Sequence, residues 1–278
     1  MKRILITGAN SYIGTSFEKY MQPFSDEYQV DTLDMIDGTW REKDFSGYDV
    51  VFHVAGIAHQ KETKKNAHLY YKVNCDLAEE TARKAKAEGV NQFLFLSSMS
   101  VYGIESGVIA KDSVPAPKSN YGKSKLLAEE KIRMMENDTF RVALIRPPMV
   151  YGKNCKGNFQ TVVKLVKKSP VFPKVKNSRS MIHIDILCKY VKEYIDRKVS
   201  GVLLPQNAEY MNTSEMAKAI AQKLGKKIHV SATLGIAVKL LCPFVSSAKK
   251  AFGTLVYEKE DEVKADEKAN HETISESV

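Results

Sequence analysis

Apolar, β-branched runs alternate with segments of helical periodicity through the first two thirds of this 278-residue chain. One of these runs, Asp49–Ala55, is apolar almost throughout, as is typical of a strand buried on both faces of a sheet. Parallel strands need a long connection between them, usually a helix. The alternation therefore predicts an α/β fold built on a doubly wound parallel sheet.

The pattern also predicts where the elements lie. The predicted strands are Arg3–Thr7, Val30–Met35, Asp49–Ala55, Gln92–Ser97, Arg141–Arg146 and Val202–Pro205. The predicted helices are Gly14–Met21, Cys75–Glu88, Tyr121–Glu136, Asn158–Lys168, Ile186–Arg197 and Thr213–Leu224. We expect residues 1–152 and about 180–203 to form a nucleotide-binding domain. Residues of about 153–179 and 204–257 form a smaller C-terminal substrate-binding region, and residues 258–278 a flexible acidic tail.

Charge is unevenly distributed along the chain. The net charge is +9, but residues 258–278 carry −5, so residues 1–257 carry +14. Such a body attracts nucleic acid, an anionic membrane surface or a phosphorylated small molecule. No nucleic-acid-binding motif accompanies the charge, so we expect no nucleic-acid partner.

The cysteines and the length of the apolar runs indicate the cellular compartment in which the protein is expected. The four cysteines are widely spaced without a CxxC motif, which indicates neither a disulfide framework nor a zinc site, and no metal is expected. No apolar run reaches the length of a membrane span, and the N-terminal apolar run is too short for a signal peptide. We expect a cytoplasmic protein.

Residues 232–245 are the most apolar stretch late in the chain. The favoured interpretation is a core-facing or dimer-facing helix that ends before Pro243. The alternative is contact with a membrane surface, aided by Lys239, Lys249 and Lys250.

The segment TGANSYIG (7–14) joins the first predicted strand to the first helix. Gly8 permits a tight turn, Gly14 permits close packing of helix on sheet, and the helix N-terminus can hold a pyrophosphate. Asp34 follows the second strand, 20 residues after Gly14, where a carboxylate accepts from both ribose hydroxyls and repels a 2′-phosphate. NAD is therefore favoured over NADP. A simple strand–helix turn and a strand-end aspartate are the structural alternatives.

A second group of polar residues follows the fourth strand. SSMSVYG (97–103) lies at its carboxyl end, and Tyr121 and Lys125 project from one face of the next helix. An ammonium and a cationic nicotinamide ring both favour the phenolate, which moves tyrosine toward action as a base. Alone, a Tyr-x-x-x-Lys pair is more often a solvated helix face. Its order after a nucleotide loop and a serine-rich strand end makes the pattern specific.

Together these motifs resemble the extended short-chain dehydrogenase/reductases, the NAD-dependent epimerase/dehydratase family acting on nucleotide sugars, which has a Rossmann-type sheet. The resemblance rests on TGANSYIG (7–14), DVVFHVAG (49–56), SSMSVYG (97–103), YGKSK (121–125), RPPMVYG (146–152) and RSMIHIDIL (179–187). It runs in order from residue 1 to about 230.

The resemblance implies roles for individual residues. The implied catalytic residues are Ser98, Tyr121 and Lys125. The implied cofactor contacts are Gly8, Asn10, Ser11, Tyr12, Ile13, Gly14, Asp34, Ala55, Asn74, Tyr121, Lys125 and Pro148. The implied substrate contacts are Ser98, Ser100, Asn158 and Arg179, with Arg179 meeting the diphosphate. A surface charge for Arg179 and a helix cap for Asn158 are equally weighted alternatives.

Two departures from the family pattern matter. Ser11 replaces the usual middle glycine of the loop, so its side chain lies near the expected pyrophosphate. Met99 and Ser100 replace the Asp-Glu pair of members that dehydrate sugars, which argues against a 4,6-dehydratase.

The resemblance therefore implies an NAD-dependent nucleotide-sugar 4-epimerase in polysaccharide biosynthesis, acting through a 4-keto intermediate as a homodimer. The alternative is an NAD(P)H-dependent 4-ketoreductase with the same catalytic residues. A non-catalytic cofactor-binding protein of the same fold is the third hypothesis, since fold alone does not establish chemistry.

Overall fold

The computed structural model of the chain describes residues 1–58, 60, 62–242, 245–259 and 270–278. The strands are β1 (Lys2–Thr7), β2 (Tyr28–Leu33), β3 (Val50–His53), β4 (Gln92–Leu96), β5 (Gly107–Ile109), β6 (Arg141–Ile145), β7 (Met149–Tyr151), β8 (Val171–Pro173), β9 (Met181–His183), β10 (Gly201–Leu203), β11 (His229–Ser231) and β12 (Leu255–Tyr257). The helices are α1 (Tyr12–Met21), α2 (Ala67–Tyr71), α3 (Leu77–Ala87), α4 (Asn120–Arg133), α5 (Asn158–Lys168), α6 (Ile184–Asp196), α7 (Thr213–Lys223), α8 (Ala232–Leu241), α9 (Ser246–Phe252) and α10 (Asn270–Ser277).

The chain divides into two compact units. The first unit comprises residues 1–103, 115–147 and 187–205, and the second comprises residues 104–114, 148–186 and 206–278. The predicted nucleotide-binding and substrate-binding roles of these regions stay predictions; residues 104–114, 148–152 and 180–186, predicted for the first region, belong to the second unit, as do residues 258–278.

The first unit contains a six-stranded parallel sheet in the order β10-β6-β4-β3-β1-β2. All four residues of β3 are buried, as expected for a central strand covered by helices on both faces. The order of the strands reverses between β1 and β3. From β1 the chain first adds β2 on one side, and β3, β4, β6 and β10 then follow in turn on the other side. Ligands of doubly wound sheets bind where the carboxyl ends of strands meet such a reversal. The predicted α/β fold is confirmed.

The second unit contains three two-stranded parallel pairs, β5 with β12, β7 with β9 and β8 with β11. Helix α7 packs against both α5 and α10. The last of these helices corrects an expectation, because residues 270–277 were predicted to lie in a flexible tail. Ile274 of α10 is instead buried, and Thr273 Oγ1 lies 2.6 Å from the hydroxyl of Tyr151. The rest of the predicted tail, residues 260–269, lies outside the described residues.

Helix α8 bears on the prediction for residues 232–245, which was a core-facing or dimer-facing helix. Only Gly235 of α8 is buried, so the core-facing form of the prediction is wrong and the dimer-facing form stays a prediction. Leu240 is 68% exposed and Ile236 is 62% exposed. The apolar composition of this segment therefore does not arise from packing in the core. Pro243, which was expected to end the helix, lies outside the described residues. No helix among the described residues is long and apolar enough to cross a membrane.

Candidate active site

The turn between β1 and α1 lies against the strand on the other side of the reversal. Gly8 has a φ of +114°, and a Cβ built there would lie 2.7 Å from the backbone nitrogen of Ala55. Only glycine fits such a backbone conformation at such a close approach. Asn10 also takes a positive φ, of +65°, which asparagine tolerates better than most residues. The loop thus brings the N-terminus of α1 to the edge of the sheet where a ligand would bind.

Ser11, the departure from the family pattern, caps α1. Its Oγ accepts a hydrogen bond from the backbone nitrogen of Gly14 at 3.1 Å, and its own backbone is extended (φ −72°). Serine is favoured at this position because it satisfies a donor that the helix leaves unpaired. The substitution therefore introduces no backbone strain. Tyr12 and Ile13, two further predicted contacts, form the first turn of α1, where the helix dipole favours an anion.

Asp34 lies directly after β2, on the same edge of the sheet as the β1–α1 turn. Its side chain is exposed, and Oδ1 accepts a hydrogen bond from the backbone nitrogen of Ile36 at 2.9 Å. That bond fixes the carboxylate at the strand end, where it can receive ribose hydroxyls. The residues of the loop and of this strand end fit an adenine dinucleotide without a 2′-phosphate.

Helix α4 is fixed at its N-terminus by two side chains. Ser119 accepts from the backbone nitrogen of Gly122 at 3.1 Å. Glu62 accepts from the backbone nitrogens of Asn120 and Tyr121, each at 3.0 Å. A carboxylate is favoured there by the helix dipole and by the unpaired amides. Glu62 thus positions the backbone of the candidate catalytic tyrosine, a role that no sequence spacing indicated.

The structure brings Ser98 and Tyr121 together. Their side chains lie close enough for Ser98 to affect the ionisation of the phenol, although one residue follows β4 and the other opens α4. Burial raises the pKa of Tyr121 above its usual value of 10, while Ser98 acts in the opposite direction. The Oγ of Ser98 also accepts from the backbone nitrogen of Ser100 at 3.1 Å. The phenol is thus oriented, and its ionisation requires further positive charge nearby.

Lys125 lies one helical turn after Tyr121 and is buried. Its Nζ donates to the carbonyl oxygen of Leu96 at 2.8 Å and lies 4.6 Å from the centre of the Phe95 ring. Burial lowers the pKa of this ammonium to about 8, although the carboxylate of Glu129 acts to raise it. Lys125 therefore keeps its charge at neutral pH in a site with little water.

Asn74 supports this arrangement from a π-helical turn, residues 72–76. It is fully buried, and its Oδ1 accepts from the backbone nitrogen of Ile57 at 2.7 Å. Its Nδ2 donates to Ser124 Oγ at 3.2 Å, and that hydroxyl donates to the carbonyl oxygen of Tyr121 at 2.9 Å. The amide of Asn74 thus ties the loop after β3 to α4. Its predicted contact with a cofactor stays a prediction.

A buried ion pair lies one helical turn beyond Lys125, near the candidate catalytic side chains, and it was not predicted from the sequence. Arg146, at the end of β6, donates from Nε to Glu129 Oε1 at 3.0 Å and from Nη1 to the Tyr102 hydroxyl at 2.9 Å. Ser97 also donates to Glu129. A signal for Glu129 was present, because it lies four residues after Lys125 and eight after Tyr121 on one helical face.

The second unit holds the remaining predicted contacts. Arg179 is 8% exposed, and its Nη1 donates to the carbonyl oxygen of Gly253 at 2.9 Å. Its Nε is buried and has no hydrogen-bond partner among the described residues, and burial lowers the pKa of the guanidinium. The surface-charge alternative for Arg179 is therefore wrong, because a buried cation without a carboxylate is suited to bind an anion.

Asn158 and Pro148 also belong to the second unit. Asn158 is exposed as the first residue of α5, and Gly157 occupies the capping position before it. The helix-cap alternative for Asn158 is thus also wrong. Pro148 is buried directly before β7. Their predicted contacts with substrate and cofactor stay predictions.

The fold, with a tyrosine, a lysine and a serine placed together beside the strand reversal, is that of an enzyme of the dinucleotide-binding type. The model of the NAD-dependent epimerase/dehydratase family matches residues 4–202. The chain therefore belongs to the NAD-dependent epimerase/dehydratase family, as the motifs indicated, and NAD is the cofactor of that family.

Two of the curated relatives are 4-epimerases. UDP-glucose 4-epimerase of Vibrio cholerae is 29% identical over 251 residues, covering 81% of this chain and 76% of that protein. N-acetyl-α-D-glucosaminyl-diphospho-ditrans,octacis-undecaprenol 4-epimerase of Escherichia coli O157:H7 is 25% identical over 256 residues, covering 84% and 76%.

Solved structures share the fold. UDP-glucuronic acid 4-epimerase from Bacillus cereus, in complex with NAD, has a TM-score of 0.76 at 16% identity, covering 99% of this chain and 97% of that chain. dTDP-4-dehydrorhamnose reductase from Bacillus anthracis, in complex with NADP, has a TM-score of 0.72 at 21% identity, covering 94% and 92%.

Proposed function

We propose that the chain is an NAD-dependent 4-epimerase of a nucleotide sugar, a UDP-sugar in the first instance, acting through a 4-keto intermediate. The observation that carries the proposal is the approach of the Ser98 side chain to Tyr121, with the buried ammonium of Lys125 on the same helical face as the tyrosine. These groups suit the removal of a proton from a sugar hydroxyl and its later return.

NAD, when bound, supplies the acceptor and then the donor of the hydride at C4 of the sugar. The first turn of α1 would hold its pyrophosphate, and Asp34 would accept from the adenosine ribose. Gly8 and Ala55 leave room for the dinucleotide at the strand reversal, because neither presents a large side chain. The exposed carboxylate of Asp34 favours NAD over NADP.

Tyr121 serves as the base and acid at the sugar O4. In the first half-reaction its phenolate takes the hydroxyl proton, and in the second half-reaction the phenol returns a proton to the same oxygen. Lys125 stabilises the phenolate by its positive charge, which offsets the effect of burial on the tyrosine. Ser98 donates a hydrogen bond to the reacting oxygen in both directions, and Ser100 supports the sugar beside it.

A side chain other than Ser98, Tyr121 and Lys125 is available to bind the diphosphate of the substrate. The buried guanidinium of Arg179 has an unsatisfied Nε, which a phosphate oxygen would satisfy. We assign Asn158 to the nucleotide part of the substrate. A diphosphate is common to UDP-sugars and to the lipid-linked sugar in the name of the Escherichia coli relative. We favour the nucleotide form, a homodimeric assembly and a cytoplasmic location.

A 4-ketoreductase is the second candidate function, and the fold shared with dTDP-4-dehydrorhamnose reductase favours it. The same three side chains would protonate the oxygen while a reduced cofactor is consumed in each turnover. The third hypothesis, a non-catalytic cofactor-binding protein, requires that the tyrosine and lysine have no chemical task. The burial of Lys125 and the position of the half-buried Tyr121 beside Ser98 argue against it.

The test is incubation of the purified chain with UDP-sugars, with 4-keto-UDP-sugars and with a diphosphate-linked polyprenyl sugar, each with and without NADH or NADPH. Products are identified by mass spectrometry and NMR. An epimerase interconverts two sugars of equal mass without net consumption of cofactor. Stoichiometric consumption of NADH or NADPH with a 4-keto sugar would replace the first proposal with the second.

Tyr121→Phe is the matched variant for this experiment. It removes the acid–base group and keeps the ring, so turnover should fall by about 10²–10⁴-fold. NAD affinity, measured by calorimetry, should stay nearly unchanged. Turnover within a few-fold of the unmodified chain would contradict the assignment of Tyr121.

A further inference from the structure

Helix α8 presents apolar side chains to solvent. Eight of its ten residues are exposed, and Lys239 is its single charged residue. Ile236 and Leu240 are 62% and 68% exposed, and Leu234 and Leu241 are 44% and 55% exposed. Val245, just beyond the helix, is 39% exposed. We term these five side chains the α8 surface. They are grouped on and next to one helix, whereas the exposed apolar residues of a protein exterior are normally scattered singly.

The attachment of α8 to the second unit accounts for this exposure. A Cβ built on Gly235 would lie 2.0 Å from the carbonyl oxygen of Lys174. The helix backbone therefore rests directly on the chain after β8, and no side chain separates them. Ser231 caps the helix, with its Oγ 3.3 Å from the backbone nitrogen of Leu234. Because the contact is made through a glycine, the apolar side chains of α8 point away from the unit.

Positive charge is concentrated in the same unit. Its segments 148–186 and 206–257 carry fifteen Lys and Arg against three Asp and Glu, a net charge of +12, whereas its other segments, 104–114 and 258–278, together carry −6. Several of these lysines lie beside α8. Lys239 is on the helix, Lys174 is beneath Gly235, and Lys250 is on the following helix α9; all three are exposed.

We propose that the α8 surface docks on an anionic membrane, with its apolar side chains among the lipid headgroups and the flanking lysines on lipid phosphates. An apolar helix face bordered by lysines is the arrangement by which helices lie in a bilayer interface. The alternative occupant is a second copy of the chain. The charge argues against it, because two copies joined at this surface would bring two strongly positive regions together.

The docking is tested by co-sedimentation of the full chain with vesicles. One set is phosphatidylcholine alone, and the other is an equal mixture of phosphatidylcholine and phosphatidylglycerol. The chain should sediment with the mixed vesicles, and added salt should weaken this binding. Binding to neither set would overturn the proposal.

Variants separate the apolar from the electrostatic contribution. Ile236→Glu and Leu240→Glu should each lower the partition coefficient at least about tenfold, because they place a carboxylate at the lipid contact. Lys239→Glu and Lys250→Glu should each lower it by about fivefold or more. Val114→Glu, at an apolar residue of the same unit that is 80% exposed, is the matched control and should bind as the unmodified chain does.

Two further measurements keep the result unambiguous. Thermal unfolding of each variant shows whether the fold is retained, as expected for side chains that face solvent. Size-exclusion chromatography without vesicles shows whether the chain forms a dimer, as expected if a second copy of the chain covers the α8 surface. A dimer that Ile236→Glu converts to a monomer, without vesicle binding by the parent chain, would assign the α8 surface to a second copy and overturn membrane docking.

Discussion

At the scale of single residues, Lys125 has the most consequential environment in the first unit. Its ammonium is buried beside an aromatic ring and is satisfied by one carbonyl oxygen. A buried charge of this kind is a disadvantage for folding and a benefit for chemistry, because its field is weakly screened. The sequence spacing predicted that Lys125 shares a face with Tyr121. It could not predict the degree of burial, which depends on residues distant in the chain.

The burial of Lys125 predicts a specific dependence of stability on pH. The pKa of Lys125 is about 8 in the folded chain and 10.5 in the unfolded chain. Between these values the unfolded state binds more protons, so this group makes the free energy of unfolding rise with pH, by roughly 2–3 kcal/mol from pH 8 to pH 10. Lys125→Met should remove this rise. Urea unfolding of both proteins at several pH values measures the difference, and parallel curves would contradict it.

Glu129 gives a second prediction at this scale. Glu129→Gln removes the negative charge that the buried guanidinium of Arg146 requires. Breaking a buried pair on one side costs about 3–5 kcal/mol of unfolding free energy, because the other charge is left without its partner. Glu130→Gln is the control, since the neighbouring residue is exposed on the same helix. Equal stability of the two variants would show that the ion pair contributes little.

At the scale of elements, the sequence located most strands and helices of the first unit to within a few residues. The reason is that buried strands and amphipathic helices carry their periodicity locally. The differences lie at the ends. Helix α1 begins two residues before the prediction because Ser11 caps it, and β2 begins at Tyr28 rather than Val30. For the apolar helix α8 the sequence left a core-facing and a dimer-facing position open, because periodicity does not reveal that Gly235 is the residue through which the helix packs.

The turn after β1 provides the prediction at this scale. Gly8→Ala introduces a methyl group 2.7 Å from Ala55 and an unfavourable positive φ, so NAD affinity should fall strongly and stability by about 1–3 kcal/mol or more. Gly107→Ala is a matched control, because its φ is +127° with nothing within 4 Å of the added Cβ. It should reproduce the strain without affecting NAD. Calorimetric titration with NAD checks both variants.

At the scale of the whole molecule, the sequence predicted how charge is distributed along the chain but not how it is distributed between the two units. The sequence showed a basic body and an acidic end, and the motifs turned attention to phosphate groups. The grouping of segments into units is a tertiary property, and it places +6 of the net charge of +9 in the second unit, most of it on residues 148–186. In the same way, the partners of Glu129 and Arg179 arise from contacts between distant segments, which local patterns do not encode.

The C-terminal helix yields the prediction at this scale. Ile274→Ala should cost about 2–5 kcal/mol of unfolding free energy, because the side chain is 1% exposed in the second unit. Glu272→Ala, at an exposed position of the same helix, should have little effect. Thermal or urea unfolding measures both. If the two variants are equally stable, the end of the chain is a tail after all.

The interleaved order of the segments has a consequence for how such a protein is made and recombined. The chain passes from one unit to the other five times, at residues 103/104, 114/115, 147/148, 186/187 and 205/206. During synthesis the edge strand β10 emerges only after some two hundred residues, so the large sheet is completed late. A single exchange of gene segments cannot transplant the second unit as a cassette, because three separate segments of the chain form it.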